Sequence, residues 1–190
     1  IIGTRDGLNH IAALNIVNTS KGTYYFADTL VNNRPSADTL VDIALLTNET
    51  VKLFNEKPVM AMLSYSNFGA DTTGSPCTVH EAVSKLHNEH PEVLVDGEMQ
   101  VNFALDRKLR HEHMPFSKID GMDVNTLIFP NLNSANIAYK MMLEIGLAEN
   151  VGPIQMGLKK PVHVLDVESS VRDIVNITTI AVIDAQICAS

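Results

Sequence analysis

Little in this sequence is basic: 14 Lys and Arg stand against 22 Asp and Glu, a formal net charge of −8 with a pI near 5.2. That balance argues against binding nucleic acid or an anionic membrane surface. Cysteine is scarce too. Cys77 and Cys188 lie far apart and form no CxxC pair, which implies neither a disulfide framework nor a zinc site and fits a reducing cytoplasm. No apolar run approaches the roughly 18–20 residues that span a bilayer, so the expectation is a soluble chain with no membrane partner. The chain starts at Ile1 without a methionine or a signal-like segment. Its opening, Ile1-Ile2-Gly3-Thr4, reads as a strand entering a turn, and the expectation is a piece cut from a longer protein.

Several chemical fingerprints are missing as well. No GxGxxG follows a strand, no GxxxxGK[ST] occurs, and no serine sits in a GxSxG elbow. The histidines are His10, His80, His87, His90, His111, His113 and His163. None belongs to an HExxH array; His80, His87 and His90, near one helix, and His111-Glu112-His113 read as solvated positions, and no metal site is expected.

What is present is globular composition, 45 % apolar and 19 % charged over 190 residues, enough to bury a sizeable core. Short β-rich runs alternate with longer helical patterns, the mark of an α/β layered domain. Strands are expected at Ile11–Val17, Thr23–Ala27, Val59–Ser64, Val93–Val95, Asn125–Phe129 and Val162–Leu165, with a hairpin turn at Asn18–Gly22. Helices are expected from Ser36 to Phe54, from a capping box at Thr78-Val79-His80-Glu81 to Pro91, and from Asn133 to Gly146. A last helix opens with Ser170-Val171-Arg172-Asp173 and runs almost uncharged to Gln186, which predicts burial on most sides.

Two loops after apolar strands, Ser64–Gly69 and Pro130–Asn136, carry small hydroxyl and amide side chains suited to phosphate or an acyl group. Most loops of this kind simply cap helices. In Asp96-Gly97-Glu98-Met99-Gln100, paired carboxylates suit acid–base work. Read by themselves, Asp96 would cap a helix and Glu98 would sit in its first turn.

Taken in order, Tyr25-Phe26-Ala27-Asp28, Met60 to Gly69, Val95 to Gln100, Leu127 to Asn133, Asn136 to Lys140, Gly152-Pro153-Ile154 and Ser170 to Asn176 resemble the phosphate acetyl/butyryltransferase (phosphotransacetylase) family along nearly the whole chain. Finer wording at Ile2–Gly7, Ser64–Gly69, Met114–Ser117, Lys160–Leu165, Ile174–Ile177 and Val182–Gln186 resembles the phosphotransacetylase-like C-terminal domain of bacterial NADP-dependent malic enzymes. The resemblance implies a three-layer α/β/α sandwich of the isocitrate/isopropylmalate dehydrogenase type. It makes residues 1–163 the second α/β subdomain and 164–190 a return segment and helix of the first, whose remainder is absent. It also implies that Ser64, Ser66, Asn67, Gly69, Asn131 and Asn133 bind ligand as lining of the cleft, with Asp166, Ser169 and Ser170, before the last helix, as further ligand-binding positions.

Active members of the family carry a Ser-Arg pair before the last helix and an Asp within it, the Arg holding phosphate and the Asp acting on the CoA thiol. Here the pair falls on Asp166 and Val167, while the Asp is kept as Asp173. Loss of the guanidinium removes a bidentate contact and Asp166 adds repulsion toward an anion. The capping box by itself accounts for Asp173. The resemblance therefore implies an acetyl-CoA-responsive regulatory and oligomerisation domain, with acetyl-CoA or acetyl phosphate as ligand and a homo-oligomer, dimer or higher. The parent would oxidatively decarboxylate malate to pyruvate with NADP and a divalent metal, both bound upstream. The alternative is an active acetyltransferase interconverting acetyl-CoA plus phosphate and acetyl phosphate plus CoA.

Overall fold

A computed structural model describes residues 2–167 and 169–188, the Cys188 side chain excepted. The elements, in chain order, are β1 (Ala12–Thr19), β2 (Gly22–Ala27), α1 (Ala37–Leu53), β3 (Met60–Leu63), α2 (Gly74–Glu89), β4 (Val95–Met99), α3 (Val101–Leu105), α4 (Arg107–His113), β5 (Thr126–Ile128), α5 (Leu132–Glu144), β6 (Ala148–Met156) and α6 (Val171–Cys188). One six-stranded sheet runs β4-β3-β5-β2-β1-β6. β2, β5, β3 and β4 are mutually parallel. β1 is antiparallel to both β2 and β6. The loops after β2, β3, β4 and β5 therefore leave from one edge of the sheet.

Alternation along the strands builds two cores. Leu14, Tyr25, Ala27, Met60 and Met62 face α1, α2 and Ile177 of α6. Phe26, Ala61, Leu63, Leu127 and Phe129 face Ala104 of α3, Ile119 and Ala135 of α5. Period-two side chains against helical stripes on both faces give the expected α/β/α sandwich. Among the described residues, no helix is long and apolar enough to cross a membrane.

The structure corrects several expectations. Val162–Leu165 is irregular, and the sixth strand is β6, whose Gly152-Pro153 interrupts any strand-like pattern. Ile1 lies outside the described residues, and Thr4 makes only an isolated bridge to Leu158. α2 starts at Gly74, so Thr78–Glu81 is its second turn rather than a capping box. Most of α6 is exposed, with Val171, Ile174, Val175, Val182, Ile183 and Ile187 open and Ile177 buried. Its apolar sequence reports surface that packs on β6 along one side only, with Ile177 reaching the core.

Candidate functional site

The loop after β2 is organised by a carboxylate. Asp28 is buried and accepts hydrogen bonds from the backbone N–H groups of Ala13 (3.0 Å), Leu30 (3.0 Å), Val31 (3.2 Å) and Asn32 (2.7 Å), and from the Asn32 amide (2.6 Å). Four orphan donors thus find one acceptor, which fixes the path to Asn33, Arg34 and the Ser36 cap of α1. Across the sheet edge, Asn131 caps α5 by accepting from Ser134 N–H at 3.0 Å. Leu132 N–H reaches Asn33 O at 3.4 Å and ties the two loops together. Between them and the start of α2 lies a cavity of about 330 Å³, lined by Asn33, Arg34, Ser75, Thr78, Asn131 and Asn133 with two prolines. Arg34 has no ion pair among the described residues, so this polar cavity has a free cation at its rim.

The Ser64–Gly69 loop is used differently. Glu98, fully buried in β4, accepts from Ser66 Oγ at 3.2 Å and from Gly69 N–H at 2.7 Å, and its other oxygen lies 3.1 Å from His80 Nδ1. Ser66 Oγ in turn accepts from Asp71 N–H at 3.0 Å, Ser64 Oγ from Ser66 N–H at 3.1 Å, and Asn67 Oδ1 from Gln100 N–H at 2.8 Å. These side chains close the loop onto β4. The cap-and-first-turn reading of Asp96 and Glu98 is corrected: both sit inside β4. Asp96 accepts from Ser117 Oγ (2.8 Å) and Lys118 N–H (2.7 Å). His80 and His87 belong to this arrangement, His87 Nε2 lying 2.9 Å from Val95 O; of the two, His80 also keeps a solvated side.

The residues before α6 form a third group. Ser170 and Asp173 make a full capping box: Asp173 accepts from Ser170 N–H (2.9 Å) and Oγ–H (2.7 Å), and Asp173 N–H donates to Ser170 Oγ at 3.2 Å. The Ser170 hydrogen bonds hold the Asp173 carboxyl below its ordinary value, with Arg172 adding to the effect. Asp166 accepts from Val167 N–H at 2.7 Å, its carbonyl accepts from Ser169 N–H at 3.1 Å, and the Val167 side chain is fully exposed. Arg172 pairs with Glu149, which is the cross-strand partner of Asn18 beside the start of β2. The first turn of α6 thus lies toward the sheet edge where β2 begins, opposite the edge that carries Arg34, Asn131 and Ser66.

The predicted site residues consequently fall into three places. Asn131 and Asn133 share the polar cavity; Ser64, Ser66, Asn67 and Gly69 surround Glu98; Asp166, Ser169, Ser170 and Asp173 lie at the far edge. Sequence reasoning missed Asp28, Arg34 and Arg110. The last is wholly buried and donates to the carbonyls of Phe103, Ala104, Ile119 and Met122. Arg110 stands among Arg107, Lys108, His111, Glu112 and His113, so no sequence signal sets it apart as buried. Among the described residues, no three of His, Cys, Asp or Glu converge on a position that would hold a metal ion. A second cavity, about 390 Å³ between α1, β6 and α6, is mostly apolar, and Arg5 and Glu49 at its rim pair with each other.

The family model for phosphate acetyl/butaryl transferase matches residues 1–182. The chain belongs to this family. It is 39 % identical over 188 residues to the NADP-dependent malic enzyme of Escherichia coli, covering 98 % of this chain and 24 % of that one. It is 38 % identical over 167 residues to the phosphate acetyltransferase of Clostridium acetobutylicum, covering 87 % of this chain and half (50 %) of that one. Among solved structures, a phosphotransacetylase from Streptococcus pyogenes superposes with a TM-score of 0.89 at 34 % identity, covering 100 % of this chain and 57 % of the other. This phosphotransacetylase-family chain therefore spans about a quarter of its malic-enzyme relatives and about half of its acetyltransferase relatives.

Proposed function

We propose that this chain is the phosphotransacetylase-like region of a longer NADP-dependent malic enzyme, where it binds acetyl-CoA or acetyl phosphate and regulates and assembles the enzyme without transferring acetyl groups. In this reading residues 1–163 are the second α/β subdomain, residues 164–190 lead back to the first, and malate, NADP and a divalent metal are bound by other parts of the protein.

The observation that carries the reading is the pairing of two facts at one place. Val167 stands fully exposed where the family's phosphate-binding Arg is expected, beside a carboxylate, Asp166, that repels an anion. Asp173 is committed to the capping box, and a carboxylate held below its usual range is a poor base for a thiol. Acetyl transfer between phosphate and CoA needs both positioning and charge stabilisation, and this end of the molecule supplies neither. Ligand binding is assigned to the opposite edge, where Arg34, Ser75, Thr78, Asn131 and Asn133 offer one cation with several hydroxyl and amide groups.

The test is acetyl-CoA formation from acetyl phosphate and CoA by the full natural protein. The expected result is no turnover above background. Sustained enzyme-dependent turnover would overturn the reading and make the protein a phosphate acetyltransferase.

A further inference from the structure

The cavity of about 390 Å³ lies between the C-terminal half of α1, β6 and the C-terminal half of α6. Ile154 and Met156 of β6 give it buried apolar lining. Its sides are apolar and open: Leu53, Ile183 and Ile187 line it and stand 47 %, 43 % and 46 % exposed. Apolar side chains wetted inside a hollow of this size gain free energy when a small apolar molecule covers them. Behind the lining stands an unsatisfied donor. The His163 side chain is 2 % exposed, and its ring lies between two lining residues, Gln155 and Asp184. Nδ1 accepts from Gln155 N–H at 3.2 Å, so the neutral ring carries its own N–H on Nε2. Nε2 is buried and has no hydrogen-bond partner among the described residues; Asp184 Oδ2 stands 3.7 Å away, beyond bonding reach.

A buried donor left unmade is costly. One that faces a carboxylate of the cavity lining is completed by a group that accepts from the N–H and donates to the carboxylate, and a hydroxyl does both. The rim selects by charge. Arg5 and Glu49 pair with each other, whereas Lys52 and Lys160 are exposed and form no ion pair among the described residues. In a chain of net charge −8, two unpaired cations at one mouth attract an anion there. We propose that this cavity binds a small hydroxylated aliphatic carboxylate. Its carboxylate lies at Lys52 and Lys160, its chain covers Leu53, Ile183 and Ile187, and its hydroxyl sits between His163 Nε2 and the Asp184 carboxylate. Leu53 is separated from the Arg34 end of α1 by the length of that helix, about 24 Å. This ligand and the acetyl-CoA or acetyl phosphate of the proposed function therefore occupy different sites, and the inference does not depend on that reading.

Calorimetric titration of the full natural protein with octanoate and with ω-hydroxyoctanoate tests it. The expected result is saturable binding of both, with the hydroxylated acid about 5-fold tighter because it alone satisfies the buried N–H. Lys160→Glu should weaken both about 3-fold or more. Ile183→Glu, at an exposed position of α6, puts a second carboxylate in the cavity and should weaken both further. His163→Phe should bring the two acids level; where that buried substitution disturbs the fold, Asp184→Leu should narrow the same preference. No saturable binding by the full protein, the outcome if another part of the protein fills the cavity, overturns the proposal. Binding that Ile183→Glu leaves unchanged places the acid elsewhere and overturns it equally. Equal affinity of the wild-type protein for the two acids overturns the hydroxylated class and the part given to His163.

Discussion

A Cβ placed on Gly97 would lie 2.5 Å from the carbonyl oxygen of Met62. β3 and β4 approach so closely there that only a hydrogen fits, and the residue also holds a φ of +145°. The register shifts at the same point: Met62 pairs with Gly97 and Leu63 with Met99, which leaves Glu98 as the extra residue of β4, bonded to the Ser66–Gly69 loop. Gly97→Ala should therefore cost more than about 3 kcal/mol or prevent folding, because neither strand has room to yield. Denaturant unfolding of the variant checks it, and a midpoint within error of wild type would contradict the account.

Glu98 closes the Ser64–Asp71 loop with one carboxylate. Glu98→Gln keeps the shape but replaces a charged acceptor by a neutral amide beside Ser66, Gly69 and His80. The expected loss is about 1–3 kcal/mol, with faster amide hydrogen exchange at Gly69. Unchanged exchange at Gly69 would show that the loop holds without the carboxylate.

At the far edge, Ser170→Ala removes the hydroxyl that both accepts from Asp173 N–H and donates to its carboxylate. The cap should lose about 0.5–1 kcal/mol. Titration of the Asp173 carboxyl should move back up toward the ordinary aspartate value, since the Ser170 hydroxyl is the first cause holding it down. An Asp173 carboxyl that titrates as low in the variant as in the wild type would assign the effect to the Ser170 backbone N–H, ahead of Arg172.

His163 provides a pH test. Its side chain is 2 % exposed and accepts from Gln155 N–H through Nδ1 at 3.2 Å. Burial pushes its pKa below 6.5, partly opposed by Asp184. The unfolded chain then binds the proton more readily than the folded one. The stabilising contribution is complete above the unfolded value near 6.5, and it is lost as pH falls below that value toward the folded pKa. His163→Gln should flatten the stability profile over that acid window; an equally steep profile in the variant would place the titration elsewhere.

Much of this was legible in the sequence because local chemistry and tertiary structure agree. Ser36, Asn131 and Ser170 cap helices, and four strands fall where apolar runs stand between turn residues, whereas β4 shares only Val95 with the run expected at Val93–Val95. β6 was hidden because Gly152-Pro153 breaks the pattern; a Cβ on Gly152 would approach Leu14 O to 2.9 Å, so the break is demanded by β1. Asp96 and Glu98 misled because a carboxylate near a helix start usually caps it, whereas here both are buried in a strand and satisfied by loops distant in sequence. The spatial division of the site was illegible as well. Only the pairing of β6 with β1 and of Arg172 with Glu149 shows that Asp173 and Asn131 lie at opposite edges of the sheet.

The most direct measurement is malate-dependent NADPH formation by the full natural protein, titrated with acetyl-CoA. The account predicts a rate that changes saturably with acetyl-CoA, and a response weakened in Arg34→Glu while basal activity persists. Absence of malate activity, or malate activity indifferent to acetyl-CoA at every concentration, would contradict it.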